Sequence, residues 1–249
     1  MKHIDMLGEI IISTELSKLS AAISTAATSK SEKQSNYNDV EAVEAVHVPG
    51  FLTVINCYLT EGRYPNDLLK QWDKYDEEKG SENDRPDDNL FGEPDADGND
   101  DQKFVVLELK NSGQDLESIT LTNATQGWAV FQQVAHSLAM AEKVLEFEHR
   151  DLHWGNVLIQ VCNEKIIKFS QAFETFEVET QGVSATIIDF SLSRLGLAKE
   201  DNVVIYNNLK NDPDLFISEG DYQFDIYRYD FKKNHLSRKS ITLGLYKEC

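Results

Sequence analysis

Near the middle of the chain, Glu148-His149-Arg150-Asp151-Leu152-His153-Trp154-Gly155-Asn156-Val157-Leu158-Ile159 gathers side chains able to move a proton and to hold a metal. In the order His-Arg-Asp, four residues, Asn, the carboxylate of Asp151 can accept the proton of an attacking hydroxyl. The amide oxygen of Asn156, five residues on, can reach a divalent ion carried by phosphate groups. A tight loop between a helix and a strand would present both groups on one side of a cleft. Thirty-three residues further, Ile187-Ile188-Asp189-Phe190-Ser191 brings a second carboxylate to the end of an apolar run, the place for another metal ligand. A base together with ligands for a charge-neutralising ion is what phosphoryl transfer to a hydroxyl requires.

Elements that could position these groups lie on both sides. Ile11, Ile12, Leu16 and Leu19 fall at mixed three- and four-residue spacing and predict an amphipathic helix over 8–19. Residues 21–46, rich in Ala, Ser and Thr, read as a mobile connection. Residues 51–55 and 57–59 read as a strand-like pair, and 65–75 as a short helix. The continuous apolar run 104–109 predicts a buried strand. Trp128, Phe131, Val134, Ala135, Leu138, Ala141 and Leu145 recur at helical spacing, which predicts a long core helix with Thr125 as its N-cap. Short strands at 157–159 and 185–188 bracket a polar connection. Helices mixed with short strands indicate an α+β fold.

Composition narrows the function classes. The 249 residues carry 24 Lys and Arg against 43 Asp and Glu, a net charge of −19, with 41% hydrophobic residues. That hydrophobic content supports a sizeable core, and the acidity disfavours a broad nucleic-acid-binding face, which needs clustered Lys and Arg. Residues 76–101 hold 12 acidic residues against Lys79 and Arg85, more than half of the net charge, and read as a solvated loop. Within it, Asp95-Ala96-Asp97-Gly98-Asn99-Asp100 fails as a calcium loop, because Gly98 falls at position 4 and Val106 at position 12. Cys57, Cys162 and Cys249 form no close pair, which suits a reducing compartment. The N-terminus lacks the apolar continuity of a signal peptide, and no membrane span is expected. The sequon at Asn123 is therefore expected to stay unmodified.

The specific words go further. The His149–Leu158 stretch has the pattern of a protein-kinase catalytic loop. With Ile187-Ile188-Asp189-Phe190-Ser191-Leu192-Ser193-Arg194 and Gly220-Asp221-Tyr222-Gln223-Phe224-Asp225-Ile226-Tyr227-Arg228 it closely resembles the haspin family of atypical serine/threonine protein kinases. Residues 9–13, Trp72-Asp73 and 80–86 resemble haspin segments as well, so the likeness covers about residues 7–230. The resemblance implies a bilobal kinase fold, with residues 1–109 in the N-lobe, 110–117 as the hinge and 118–249 in the C-lobe. It implies ATP and magnesium as cofactors, Asp151 as the catalytic base, and Asn156 and Asp189 as metal ligands. Glu9 takes the place of the glutamate that pairs with the nucleotide-binding lysine. Leu109 would be the gatekeeper, the Lys110 carbonyl and Ser112 amide the hinge acceptor and donor, and Asp115 the ribose contact. Leu158 and Ile188 would lie under the adenine. Asp225 matches the buried helix aspartate that anchors the catalytic loop. The family's substrate is a threonine of the histone H3 tail, which implies chromatin as partner and a location in the nucleus and on mitotic chromosomes, and also in the cytoplasm. Asp212, Asp214, Glu219 and Asp221 are candidates for reading that basic peptide. A monomer is expected, with no direct nucleic-acid or membrane binding.

The chain departs from the family pattern at both ends. Only eight residues precede Glu9, too few for a glycine-rich loop and a lysine-bearing strand, and residues 229–249 do not resemble the family. The chain therefore reads as a fragment with weak or absent activity as written. Two other readings stay open: a haspin-like pseudokinase that binds the histone tail, and a small-molecule phosphotransferase. Arg150 disfavours the latter, whose loop usually reads His-Gly-Asp.

Overall fold

The computed structural model of the chain describes residues 3–21, 46–81, 83–86, 102–171, 174–197, 203–209, 214–217, 222 and 224–229. The residues 22–45, the part 87–101 of the acidic stretch, and Asp212, Glu219 and Asp221 lie outside them. The chain divides into two compact units, one of Met1–Val54 with Lys110–Cys249 and one of Ile55–Leu109.

In the first unit, helix α1 (His3–Ala21) buries Ile12 and Leu16. The apolar spacing read from the sequence placed this helix, which runs a few residues longer at each end. Its C-terminal half is tied down by the segment that follows. The Val48 amide donates to the Leu19 carbonyl at 2.9 Å, and the Ser17 hydroxyl accepts from the Val54 amide at 3.0 Å. Ile12 and Leu16 pack with Val48, Phe51, Leu52, Met140, Phe147, Phe169, Ile187, Phe190 and Leu195 in the main core. Each such side chain taken from water contributes roughly 1.5–3 kcal/mol.

Helix α3 (Ala124–Leu145) lies over the three-stranded antiparallel sheet β3-β4-β7, made of β3 (Gln114–Asp115), β4 (Val157–Val161) and β7 (Val183–Ile187). Val157 faces Ile187 and Val161 faces Val183 across the ladder. Gln133 on α3 is 1% exposed and locks helix to sheet. Its amide donates to the Val183 carbonyl at 3.1 Å, and its oxygen accepts from the Ala185 amide at 2.8 Å. A buried amide is tolerated because both ends are satisfied.

Several expectations shift here. The N-cap of α3 is Asn123, extended at φ −161°, whose side chain accepts from the Gln126 amide; Thr125 is already inside the helix. The buried stripe of α3 is Ala129, Val130, Gln133, Ser137, Met140 and Ala141. Trp128 and Phe131 instead stand 60% exposed and stack on each other at 5.4 Å. The connection after β4 is a hairpin, β5 (Ile166–Gln171) and β6 (Glu174–Glu179). Its Phe169 and Phe176 both lie 5.5 Å from the His136 ring on α3. Beyond β7, β8 (Arg194–Leu197) pairs with β9 (Val203–Tyr206). The short helix α4 (Asp214–Ile217) and helical residues 224–229 (α5) follow.

The second unit contains β1 (Val54–Gly62), α2 (Asn66–Lys79) and β2 (Gln102–Leu109), with β1 and β2 forming a two-stranded sheet. One strand, 54–62, replaces the expected pair, and Phe51 belongs to the core. The run 104–109 is a strand but not a buried one. In a two-stranded sheet β2 has one neighbour, and Val106 and Leu109 are 46% and 40% exposed. The expected helix at 65–75 is α2, which extends into the first acidic residues of the 76–101 stretch. Among the described residues, no helix is long and apolar enough to cross a membrane.

Candidate active site

The chain leaves α3 through Glu146, a left-handed cap at φ 48°. Phe147 then plugs the core, its ring 5.5 Å edge-on to Phe51 and 6.0 Å from Phe190. With the loop thus seated, the following residues reach the site. His149 is 5% exposed and sits against Phe147 and Phe190. Its Nε2 lies 3.0 Å from the Ile188 carbonyl, which can only accept, so Nε2 carries the proton. Its Nδ1 therefore accepts, here from the Asp151 amide at 3.3 Å. Burial pushes the imidazole below its usual range, which keeps it neutral.

Arg150 adopts φ 68°, a left-handed turn rare for a side chain of its size. Its guanidinium pairs with Glu148 at 3.1 Å and lies 5.9 Å from the Tyr206 ring centre on β9. Glu148 also faces Arg194 at 3.7 Å, and Arg194 reaches the Glu146 carbonyl at 2.9 Å. The Glu148 and Arg194 backbones exchange both hydrogen bonds at 2.9 Å. This ion network staples the loop 146–151 to β8 and β9, and breaking one partner would strand a buried charge.

Asn156 ends a 3₁₀ turn (Trp154–Asn156) whose first free amide, that of Gly155, is capped by His153 Nδ1 at 3.1 Å. Its Nδ2 donates to the Asp151 carbonyl at 2.9 Å, so its Oδ1 remains to serve a ligand. The Asn156 carbonyl accepts from the Ile188 amide at 3.0 Å, which sets Asn156 and Asp189 side by side at the ends of neighbouring strands β4 and β7. Asp189 also sits in the left-handed region, φ 61°, and one of its oxygens accepts from the Ser191 amide at 3.2 Å. Phe190 beside it is 1% exposed, wedged against Phe51, Phe147 and His149. Asp151, Asn156 and Asp189 are thus brought together by one bonded framework.

The other residues named from the sequence fall as follows. Glu9 on α1 is half-buried, and its carboxyl is raised above the usual range by burial first and by the Asp189 charge second. Among the described residues it has no cationic partner. Asp115 pairs with Leu158 in the β3–β4 register, so both border one surface. Hydrogen bonds from the Ser118 side chain and amide hold its carboxyl below the usual range. The Lys110 amide donates to the Thr53 carbonyl at 2.9 Å, and the Ser112 hydroxyl donates to the Lys110 carbonyl at 3.3 Å. Leu109 ends β2 in the second unit. A cavity of about 420 Å3 shares Lys110 and Ser112 but is lined by none of Asp151, Asn156 or Asp189. Of the acidic set 212–221, Asp214 alone lies among the described residues, on α4.

Asp225 corrects the expectation of a buried anchor. Its side chain is 66% exposed and pairs with Arg228 at 2.8 Å, one turn along the same face. Two residues on, the helix has turned about 200°, so Tyr227 faces inward instead. Tyr227 is 4% exposed, and its hydroxyl lies 2.6 Å from Asp151 Oδ1 and 3.0 Å from the Arg150 carbonyl. Tyr227, Glu148 and Arg194 are site-building residues that sequence reasoning did not single out.

Comparison with known proteins supplies the family. The haspin-like kinase domain family matches residues 14–236. The serine/threonine-protein kinase haspin of Mus musculus is 39% identical over 232 residues, 92% of this chain and 26% of its own length. The haspin homologue of Drosophila melanogaster is 42% identical over 179 residues, covering 72% of this chain and 30% of that protein. The homologue of Schizosaccharomyces pombe is 35% identical over 208 residues, covering 77% and 40%. The chain therefore spans about a quarter to two fifths of the length of these relatives. It belongs to the haspin-like kinase domain family.

Proposed function

We propose that this chain carries the catalytic-loop portion of a haspin-type kinase that transfers the ATP γ-phosphate to a threonine of the histone H3 tail. The observation that carries the reading is the joined placement of Asp151, Asn156 and Asp189 around His149. Asp151 accepts the proton of the threonine hydroxyl as it attacks. Asn156 presents Oδ1 because its Nδ2 is already held. Asp189 keeps an oxygen beyond the one that meets the Ser191 amide.

The donor set fits magnesium. Among the described residues no cluster of three or more His, Cys, Asp or Glu side chains could hold a metal on its own. One carboxylate and one amide oxygen, completed by phosphate oxygens and water, is the arrangement that magnesium favours. Asn156 and Asp189 would hold it, and the ion would neutralise charge on the phosphates. Leu158 and Ile188 offer the apolar surface for an adenine, with Asp115 beside them for a ribose. The net charge of −19 supports a cationic peptide as substrate. A nuclear location on mitotic chromosomes, and a monomeric state, complete the proposal.

The test is labelling of a histone H3 tail peptide by the chain with magnesium and ATP, compared with Asp151→Asn. Threonine labelling lost in the variant supports the reading. Labelling that survives Asp151→Asn sinks the catalytic assignment, and a parent that neither labels nor binds the peptide sinks the reading as a whole. Calorimetry at low salt with the same peptide separates the two ways of failing: binding without transfer is the result expected of a pseudokinase.

A further inference from the structure

We propose that Tyr227 is a positioning residue for Asp151, fixing which carboxylate oxygen faces the substrate hydroxyl. The inference rests on the kinase reading of Asp151 and adds to it a contact from the last described helix. The backbone of Asp151 is held on both sides, its amide by His149 Nδ1 at 3.3 Å and its carbonyl by Asn156 Nδ2 at 2.9 Å. What remains free is rotation of the side chain. Among the described residues, the Tyr227 hydroxyl at 2.6 Å from Oδ1 is the one hydrogen-bond partner of that carboxylate. The phenol has a single proton, and a charged acceptor at this distance takes it in preference to the neutral Arg150 carbonyl at 3.0 Å.

Three consequences follow from the geometry. Oδ1 is occupied, so Oδ2 is the oxygen left to receive a proton. The left-handed turn at Arg150, φ 68°, brings its carbonyl within reach of the same hydroxyl, so one tyrosine reads both the backbone turn and the side chain. Tyr227 is 4% exposed, so water does not compete for the bond. Helix α5 thereby reaches the proton-accepting group across 76 residues of sequence. Asp225, which lies on the opposite face of α5, takes no part.

The test uses the full chain with 13C-labelled aspartate. The Asp151 carboxyl resonance is assigned by its loss in Asp151→Asn. It is expected to move in Tyr227→Phe, which keeps the ring, and to stay put in Tyr229→Phe, a control on an exposed tyrosine of the same helix. In kinetics, Tyr227→Phe lowers kcat about tenfold, the scale of one hydrogen bond to a charged group, with the KM for ATP unchanged. A resonance unmoved by Tyr227→Phe overturns the proposal, as does an unchanged kcat. In a parent chain without turnover the resonance alone decides for or against Tyr227. If Tyr227→Phe does not fold, labelled tyrosine in Asp151→Asn reads the same bond from the other end, and an unmoved Tyr227 ring resonance overturns it.

Discussion

The imidazole of His149 donates from Nε2 to the Ile188 carbonyl at 3.0 Å, joining the loop that bears Asp151 to the strand that delivers Asp189. Both ring nitrogens are used in the neutral tautomer, and burial holds the ring below its usual range. The unfolded chain takes up a proton first, near pH 6.5. Stability from this group is therefore complete above pH 6.5 and is lost as pH falls toward the lower folded value. His47, lowered by its own burial, adds in the same direction. Thermal melts should drop from pH 7.5 to pH 5.5, and the drop should shrink in His149→Gln. An equal drop in that variant removes His149 as a source.

Glu9 bears the opposite sign. Its carboxyl is raised by burial and by Asp189, so ionisation costs the folded chain stability. That cost is absent below the unfolded value of 4.5 and complete once pH exceeds the folded one. Glu9→Gln should raise the melting temperature at pH 7.5 and change it much less at pH 4.5. A melt at pH 7.5 no higher than that of the parent contradicts the assignment.

Gly113 occupies the turn that enters β3, at φ +101°, and a Cβ there would lie 2.1 Å from the Ile159 carbonyl oxygen. The obstacle is backbone of β4, which cannot step aside without disturbing Val157 and Leu158. Gly113→Ala should cost about 3 kcal/mol or more. For a chain of this size that lowers the melting temperature by roughly 6–12 °C. Denaturant midpoints measure it, and a loss under about 1 kcal/mol means that the turn relaxes freely.

Gly50 makes a different prediction, because its neighbour is a side chain. A Cβ at Gly50 would meet Ser137 Oγ at 1.8 Å and Ser137 Cβ at 2.8 Å. Gly50→Ala alone should destabilise strongly. Adding Ser137→Gly should recover part of the loss, despite about 1 kcal/mol for a mid-helix glycine. A double variant no better than the single one excludes this contact as the cause.

The residues proposed to carry chemistry are legible because their types and spacing are those the proposed reaction demands. Asp151 and Asn156 stand five apart on one tight loop, and Asp189 closes a short apolar strand. What holds them was less legible. Tyr227 meets Asp151 over 76 residues, and no local period announces such a bond. Asp225 was read as the anchor because the resemblance pointed to it, whereas the rotation of one helix decides which of 225 and 227 faces inward. Trp128 and Phe131 fit the helical period equally well on either of two adjacent stripes. Packing against β7 chose the stripe through Gln133, which hydropathy alone ranks as surface. The apolar run 104–109 looked buried because sequence does not count the neighbours a strand will have.

The two left-handed positions beside the site bear on how an inactive control should be made. At Asp189, φ 61°, asparagine retains the conformation at little cost, whereas alanine must be forced into it. An Asp189→Ala chain therefore loses its carboxylate and gains backbone strain together, so any loss in it confounds the proposed metal binding with loop shape. Asp189→Asn removes the charge alone, and lysine in place of Arg150 would likewise be compared with asparagine there to part charge from conformation.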